Sequence, residues 1–219
     1  MTEILLYHSI SDNEQDLYAT PLSVFETDMQ WLAKREYKGL SLSRFYKKPE
    51  QEKAIVLTFD DGYRDFMENA VPVLNKHDFS ATVFVVGKLI ADVSRWRKAR
   101  LRTALLDWKE IRTIIDMGHE IGSHGLYHRD LTRLPKEELK EEVFDSKRKI
   151  EEGASIIVES FSYPFCKNNR KVQNTVRKAG YKQAVGCGRE YTYDFRANCF
   201  HLWRRAMKGN KTVKDFMEQ

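Results

Sequence analysis

Two short runs hold the residues best suited to chemistry. Thr58-Phe59-Asp60-Asp61-Gly62 sets two carboxylates at the end of an apolar stretch, Ala54-Ile55-Val56-Leu57, and His124 and His128 follow some sixty residues later in the frame Ser-His-Gly-Leu-Tyr-His. Together they offer an oxygen ligand, two nitrogen ligands and a spare carboxylate, a set able to hold a metal ion that activates water. One acid can hold the metal while the other handles protons. Gly62 lets the backbone turn sharply, so two side chains that would point apart within a strand can converge on one cleft as the chain leaves the sheet. Histidines four apart are expected on one side of a helical turn. Each pattern alone is ordinary, since Asp-Asp-Gly is common turn chemistry and most histidine pairs at this spacing are surface or core residues. Occurring together, each at the end of an apolar segment, they point to a hydrolytic metal site.

These residues must be positioned by a core. The 219-residue chain is long enough for one, and a single domain over residues 1–219 is expected. Short apolar runs alternate with amphipathic stretches, the pattern of parallel βα units. Strands are expected at Glu3–His8, Ala54–Phe59, Ala81–Val86, Glu120–Ser123, Ile156–Tyr163 and Gln183–Gly186. Helices are expected from Pro21 to about Arg35, then at Ala70–His77, Trp108–Met117, Lys136–Glu152 (ending at Gly153) and Asn168–Ala179. The fold class is α/β, barrel-like. In such barrels chemistry sits at the carboxyl ends of the strands, where His8, Asp60, Asp61, His124, His128 and the turn at Pro164 all fall in this reading.

Charge is mixed, 37 basic against 32 acidic residues and a net charge of +5. The densest basic run, Arg95 to Arg102, is expected to be a solvated helix face, although such a run can also attract an anionic glycan, a membrane surface or nucleic acid. Cys166, Cys187 and Cys199 make an odd count without close spacing, which argues against a disulfide framework and makes Cys166 a buried or cleft-lining thiol. The start, MTEILLYHSI, has no basic region or long apolar stretch, and no run elsewhere is long enough to span a bilayer. The chain as written is therefore expected in the cytoplasm, or outside it if a native leader is missing. His119 and His77 read as packing and solvent-facing histidines, and Trp108 as core. Trp96 is the better candidate for a ring facing a glycan, while Tyr63 and Tyr127, beside the metal ligands, could stack on a sugar or simply form walls.

The same motifs resemble the polysaccharide deacetylase family, the NodB-homology domains of carbohydrate esterase family four, over most of the chain. Thr58–Gly62 is similar to its first motif, Gly118–His124 with His128 to its second, Ser80–Val85 to its intervening buried strand, and Phe161-Ser162-Tyr163-Pro164-Phe165 to its third. Leu6-Tyr7-His8-Ser9 and Leu202-Trp203-Arg204-Arg205 are closest to the poly-N-acetylglucosamine deacetylase-like branch. The resemblance implies a distorted (β/α) barrel and a hydrolase that removes N-acetyl groups from an N-acetylglucosamine-containing glycan. It implies that Asp61, His124 and His128 hold one divalent ion, zinc by default, with nickel, cobalt or iron tolerated. Asp60 would be the base, His8 the acid that protonates the leaving amine, with His201 as the competing candidate, and Arg204 would replace the arginine that many members carry where Ser162 stands. The Phe165 N–H would stabilise the oxyanion, with Tyr163, Pro164, Tyr63 and Tyr127 near the substrate. Gly125 and Cys166 depart from the family pattern. Alternatives are a deformylase or amidohydrolase of the same fold acting on a lipid-linked aminosugar or small amide, a noncatalytic glycan-binding domain, and, through the basic run, a nucleic-acid binder.

Overall fold

The computed structural model describes residues 2–48, 53–98, 101–187 and 198–218. Its strands are β1 (Ile4–Tyr7), β2 (Ser9–Ile10), β3 (Ala19–Thr20), β4 (Lys38–Leu40), β5 (Ala54–Phe59), β6 (Thr82–Val85), β7 (Glu120–Ser123), β8 (Ser160–Ser162), β9 (Gln183–Gly186), β10 (Leu202–Trp203) and β11 (Arg205–Ala206). Its α-helices are α1 (Leu22–Lys34), α2 (Leu42–Lys47), α3 (Val71–Lys76), α4 (Trp108–Asp116), α5 (Lys136–Lys140), α6 (Ser146–Ala154), α7 (Arg170–Lys178) and α8 (Lys214–Met217). The main sheet runs β10-β9-β8-β7-β6-β5-β1-β11, with β4 also paired to β5, and every ladder within it is parallel.

Because helices cover the outside of a parallel sheet, its strands are buried on both faces and read as apolar runs rather than as an alternation. Residues at successive positions nevertheless serve two clusters. Ile4, Val56, Phe84, Val185 and Leu202 share one, while Leu5, Leu57, Val83 and Ile121 belong to the larger cluster against the helices. Gly122 admits the Phe84 ring, since a Cβ there would lie 2.4 Å from Phe84 Cδ1.

The sheet is nearly closed by one short stretch. Leu202 and Trp203 pair with β9 at one edge, and two residues later Arg205 and Ala206 pair with β1 near the other. Arg204 is the residue in the seam, and its side chain is 0% exposed. The result is a distorted (β/α) barrel whose closing strand carries a guanidinium into the interior.

Several local expectations are corrected. The helix after residue 136 passes through a π-helical turn at Glu141–Asp145 and runs through Gly153 to Ala154, ending at Ser155 with φ 56°. Gly153 does not stop it; a Cβ at Gly153 would lie 2.3 Å from Trp108, so the glycine is there for ring packing. Strand β8 is only Ser160–Ser162. The segment from Arg95 to Lys98 forms turns rather than a helix face; Ala99 and Arg100 lie outside the described residues. The cysteine reading is overturned, because Cys166 and Cys187 form a disulfide with a Cα–Cα distance of 5.3 Å, leaving Cys199 free. Twenty-one residues separate the pair in sequence, but the turn after β8 and the end of the neighbouring β9 bring them together. Among the described residues no helix is long and apolar enough to cross a membrane.

Candidate active site

A cleft of about 480 Å³ opens at the carboxyl ends of the strands, lined among others by His8, Asp60, Asp61, His124, His128 and Phe165. Asp60 follows β5 directly, and its N–H is held by the Tyr7 carbonyl of β1. Asp61 takes a left-handed conformation (φ 75°), as does Gly62 (φ 69°), so the chain bends at once and both carboxylates remain in the cleft. A side chain at Gly62 would crowd Val85.

The two histidines do not share a helical turn. His124 follows β7, its N–H bonded to the Val85 carbonyl, and the chain returns through Gly125 (φ 81°) to His128 (φ 58°). The loop is shaped by Glu142, a buried residue whose Oε2 accepts the N–H groups of Leu126 (2.8 Å) and Tyr127 (3.1 Å). A Cβ at Gly125 would lie 3.0 Å from that oxygen. Sequence alone hides this role, because Glu142 stands in a charged helical run among glutamates that face solvent.

His124 Nδ1 lies 2.8 Å from the Ser162 carbonyl oxygen. A carbonyl only accepts, so Nδ1 carries the proton and, in the neutral ring, Nε2 presents a lone pair. That lone pair faces Asp61 Oδ1 at 3.5 Å, and His128 Nε2 faces the same oxygen at 3.3 Å. Acceptors converging in a buried place call for a cation. Four ligands about 2.1 Å from a tetrahedral zinc stand about 3.4 Å apart, close to both separations. The three residues are buried, with candidate ligand atoms all within 4.8 Å of one another. Burial lowers the His124 imidazole to about 4, with Asp60 opposing, and so favours the neutral form that binds metals. Burial would raise Asp61, but hydrogen bonding and charge from His128 hold it below the usual carboxylate range.

Asp60 is held differently. Arg204 Nη1 donates to its Oδ1 at 2.8 Å and Nη2 to its Oδ2 at 2.7 Å, a bidentate pair. Nη2 also reaches Ser162 Oγ (2.8 Å) and Nη1 reaches Thr58 Oγ1 (3.2 Å). Burial pushes the Asp60 carboxyl up, yet Arg204 and then His124 outweigh it and keep Asp60 ionised. His8, at the end of β1, also lines the cleft. Its neighbour Ser9 donates from Oγ to Asp65 at 2.5 Å, which fixes the backbone beside it. Burial lowers the His8 pKa, with Asp61 and Asp60 pulling the other way.

A sequence model of the polysaccharide deacetylase family matches residues 47–184. The chain belongs to that family. It is 31% identical over 187 residues to YxkH of Bacillus subtilis (strain 168), a protein assigned to the polysaccharide deacetylases, covering 83% of this chain and 63% of the relative. It is 32% identical over 100 residues to the peptidoglycan-N-acetylmuramic acid deacetylase PdaA of the same organism, covering 45% of this chain and 33% of PdaA. The chain thus spans less than two thirds of either curated relative. A polysaccharide deacetylase structure from Bacillus cereus superposes with TM-score 0.83 at 26% identity, covering 99% of this chain and 68% of that one. The Streptococcus pyogenes deacetylase PplD shares the fold, with TM-score 0.84 at 24% identity and coverage of 99% and 96%.

Within this member of the deacetylase family, other expected residues fall in two groups. Phe165 lines the cleft, 52% exposed, with φ 58°; its backbone N–H has no acceptor among the described residues. Trp96 lines the cleft too, stacked on His128 with ring centroids 4.3 Å apart. The remaining aromatic expectations are corrected. Tyr163 is fully buried, its hydroxyl donating to the Phe200 carbonyl at 2.9 Å, and Pro164 is buried against the Gly125 turn. Tyr63 packs in an apolar cluster with Val86 and Leu105, and Tyr127 is exposed but does not line the cleft. His201 contacts Gln173, away from the cleft lining, and His119 accepts the Ala81 N–H in the core.

Proposed function

We propose that this chain is a metal-dependent hydrolase that removes N-acetyl groups from an N-acetylglucosamine-containing glycan. The observation that carries this reading is the bidentate Arg204–Asp60 pair set beside the convergent Asp61, His124 and His128 acceptors in one cleft. Asp61, His124 and His128 would hold a divalent ion, zinc by default, with nickel, cobalt or iron also suited to this ligand set. When bound, such an ion supplies Lewis acidity toward the acetyl carbonyl and makes water more acidic.

Asp60, held ionised and aligned by Arg204, takes a proton from the attacking water as its oxygen adds to the amide carbon. The Phe165 N–H, on a left-handed backbone at the cleft and without an acceptor among the described residues, donates to the developing oxyanion. His8 delivers a proton to the departing nitrogen as the carbon–nitrogen bond breaks, leaving acetate and an amine. Both carboxylates are used, one for the metal and one for protons, which disfavours a noncatalytic glycan-binding role.

The Cys166–Cys187 disulfide favours a location outside the reducing cytosol for the mature protein. The whole reading is tested by loading the protein with zinc, nickel or cobalt and measuring acetate and formate release from N-acetylglucosamine oligomers and N-formylated analogues. Acetate release that disappears in Asp60→Asn, with metal retained, is expected. Formate release in its place would move the assignment to a deformylase of the same fold, and no release from any substrate with metal bound would favour a binding role.

A further inference from the structure

Two further cations line the same cleft, Arg97 and Lys208. Both stand close to one ring. Arg97 Cζ is 5.4 Å and Lys208 Nζ 5.8 Å from the centroid of Tyr18, and the Tyr18 ring lies 5.1 Å from that of His8. The pair is therefore one aromatic ring away from the group that protonates the leaving amine.

Arg97 is anchored, with a side chain only 11% exposed. Its Nη2 donates to buried Asp16 at 2.5 Å, and the same carboxylate accepts the Tyr18 N–H at 2.9 Å, so guanidinium and ring are fixed to one support. Asp16 accepts one of the five side-chain N–H donors, and no further side-chain hydrogen bond is made to a described residue. Lys208 is exposed and forms no ion pair among the described residues. Its backbone is nonetheless fixed from both sides, the Met207 N–H on the Leu6 carbonyl and the Gly209 N–H on the Ala19 carbonyl, each 2.8 Å. Asp60 is matched by Arg204 and Asp16 by Arg97. With a divalent ion on Asp61 the cleft is left with an excess of positive charge, and Lys208 adds to it.

We propose that Arg97 and Lys208, both beside Tyr18, form a subsite for an anionic substituent, a carboxylate or a phosphate, carried on or beside the N-acetylated sugar. The preferred substrate is then an acidic aminosugar glycan rather than a neutral one. The two cations take the acid group through charge-assisted hydrogen bonds, beside the Tyr18 ring they share. This inference rests on the deacetylase reading above.

The test compares kcat/KM for acetate release by the metal-loaded protein from three N-acetylglucosamine oligomers of equal length: unmodified, bearing a lactyl ether carboxylate, and bearing a sugar 6-phosphate. Roughly tenfold or greater preference for at least one acidic oligomer is expected at low salt, and the better of the two identifies the substituent. That preference should shrink as salt is raised. Changing Arg97 would strand buried Asp16, so Lys208→Gln and Lys208→Glu carry the test. The ratio of acidic to neutral kcat/KM should fall several-fold in Lys208→Gln and at least tenfold in Lys208→Glu. Equal kcat/KM for all three oligomers in the parent protein, or an unchanged ratio in Lys208→Glu, overturns the subsite while leaving the deacetylase reading intact. No acetate from any of the three, with metal bound, removes the deacetylase reading and the subsite with it.

Discussion

His124 and His128 point ring nitrogens at the same oxygen of Asp61, yet they are held by unlike means. His124 stands at the end of β7, and its Nδ1–H is fixed by a main-chain carbonyl of β8. His128 sits in a loop, and its Nδ1 is buried with no hydrogen-bond partner among the described residues. Its ring is packed between others, stacked on Trp96 at 4.3 Å (18° between planes) and edge-on to Phe165 at 4.6 Å (71°). The contrast extends to the walls around them. On the sheet side, Asp60, Arg204, Ser162 and Thr58 form one hydrogen-bonded network rooted in strands. On the loop side, Trp96, His128, Phe165 and Cys166 are held by ring contacts, left-handed backbone and a disulfide. Charge-assisted hydrogen bonds between side chains carried on or beside strands fix charge and direction closely. Stacked rings fix a plane but allow sliding.

The most damaging break lies on the sheet side. Arg204→Met leaves Asp60 buried without its partner, and removing one member of a buried pair costs about 3–5 kcal/mol. Chemical denaturation should show a loss of that size. Arg204→Lys, which can offer a point charge but not a fork, should recover stability only in part and leave turnover low. An Arg204→Met protein as stable as its parent would mean that the network is not what fixes this wall.

His8 belongs to the sheet side by its place after β1. His8→Ala should keep fold and metal content while losing roughly two to four orders of magnitude in turnover, the usual span for a general acid. Deacetylation near the parent rate would return proton delivery to water, because His201 lies outside the cleft lining.

How much of each wall could be read from sequence follows the same division. Asp60 and Asp61 were legible because an apolar run stopping at Asp-Asp-Gly reports a strand end directly. Arg204 was legible only through the resemblance, as a cation missing at Ser162 and available elsewhere; barrel closure, a long-range event, is what brings it in. The loop side was read less well. The four-residue spacing of the histidines suggested a helical turn, whereas the pair is brought together by φ 81° at Gly125 and φ 58° at His128, conformations that residue spacing does not encode. The charges from Arg95 onward suggested a helix face, since a run of like charges reports neither period nor partner, and buried Asp16 lies eighty-one residues from Arg97. Tyr163 looked like a substrate contact because it adjoins a motif, but it turns into the core; Tyr63 is also buried, in the small cluster that Trp96 packs against, where the charge of Asp61 acts on its hydroxyl. The disulfide was missed because an odd cysteine count with wide spacing says nothing about which turns meet in space.

The disulfide gives a smaller test of the loop side. In the Cys166→Ala, Cys187→Ala double variant, losing the cross-link should cost roughly 3 kcal/mol for a loop of this length. Cys166 has φ 55°, a conformation that costs a residue with a Cβ about 1–2 kcal/mol and glycine little. The Cys166→Gly, Cys187→Ala variant should therefore be about 1 kcal/mol more stable than the double alanine, as read by urea midpoints. Equal midpoints would show that the backbone there relaxes once the bond is gone.

The smallest expected effect discriminates best between the two histidines. A metal-binding imidazole normally has its second nitrogen held by a hydrogen bond, and losing such support typically weakens metal binding 10–100-fold. His124 has that support from a main-chain carbonyl, out of reach of any side-chain substitution. His128 has no such partner among the described residues, and its ring is packed against Trp96 and Phe165. Trp96→Leu keeps an apolar filler but removes the flat face, freeing the His128 ring to rotate about its side-chain bonds. Zinc affinity, measured by competition with a chromogenic chelator, should fall about tenfold, the lower end of that range, because Phe165 still holds one edge. Trp96→Phe should restore most of the affinity, since a smaller ring can still stack. Zinc affinity at the parent value in Trp96→Leu would show that the loop holds His128 without the stack, through the Glu142 carboxylate on the Leu126 and Tyr127 N–H groups. The two histidines would then differ in their contacts but not in how firmly they are held.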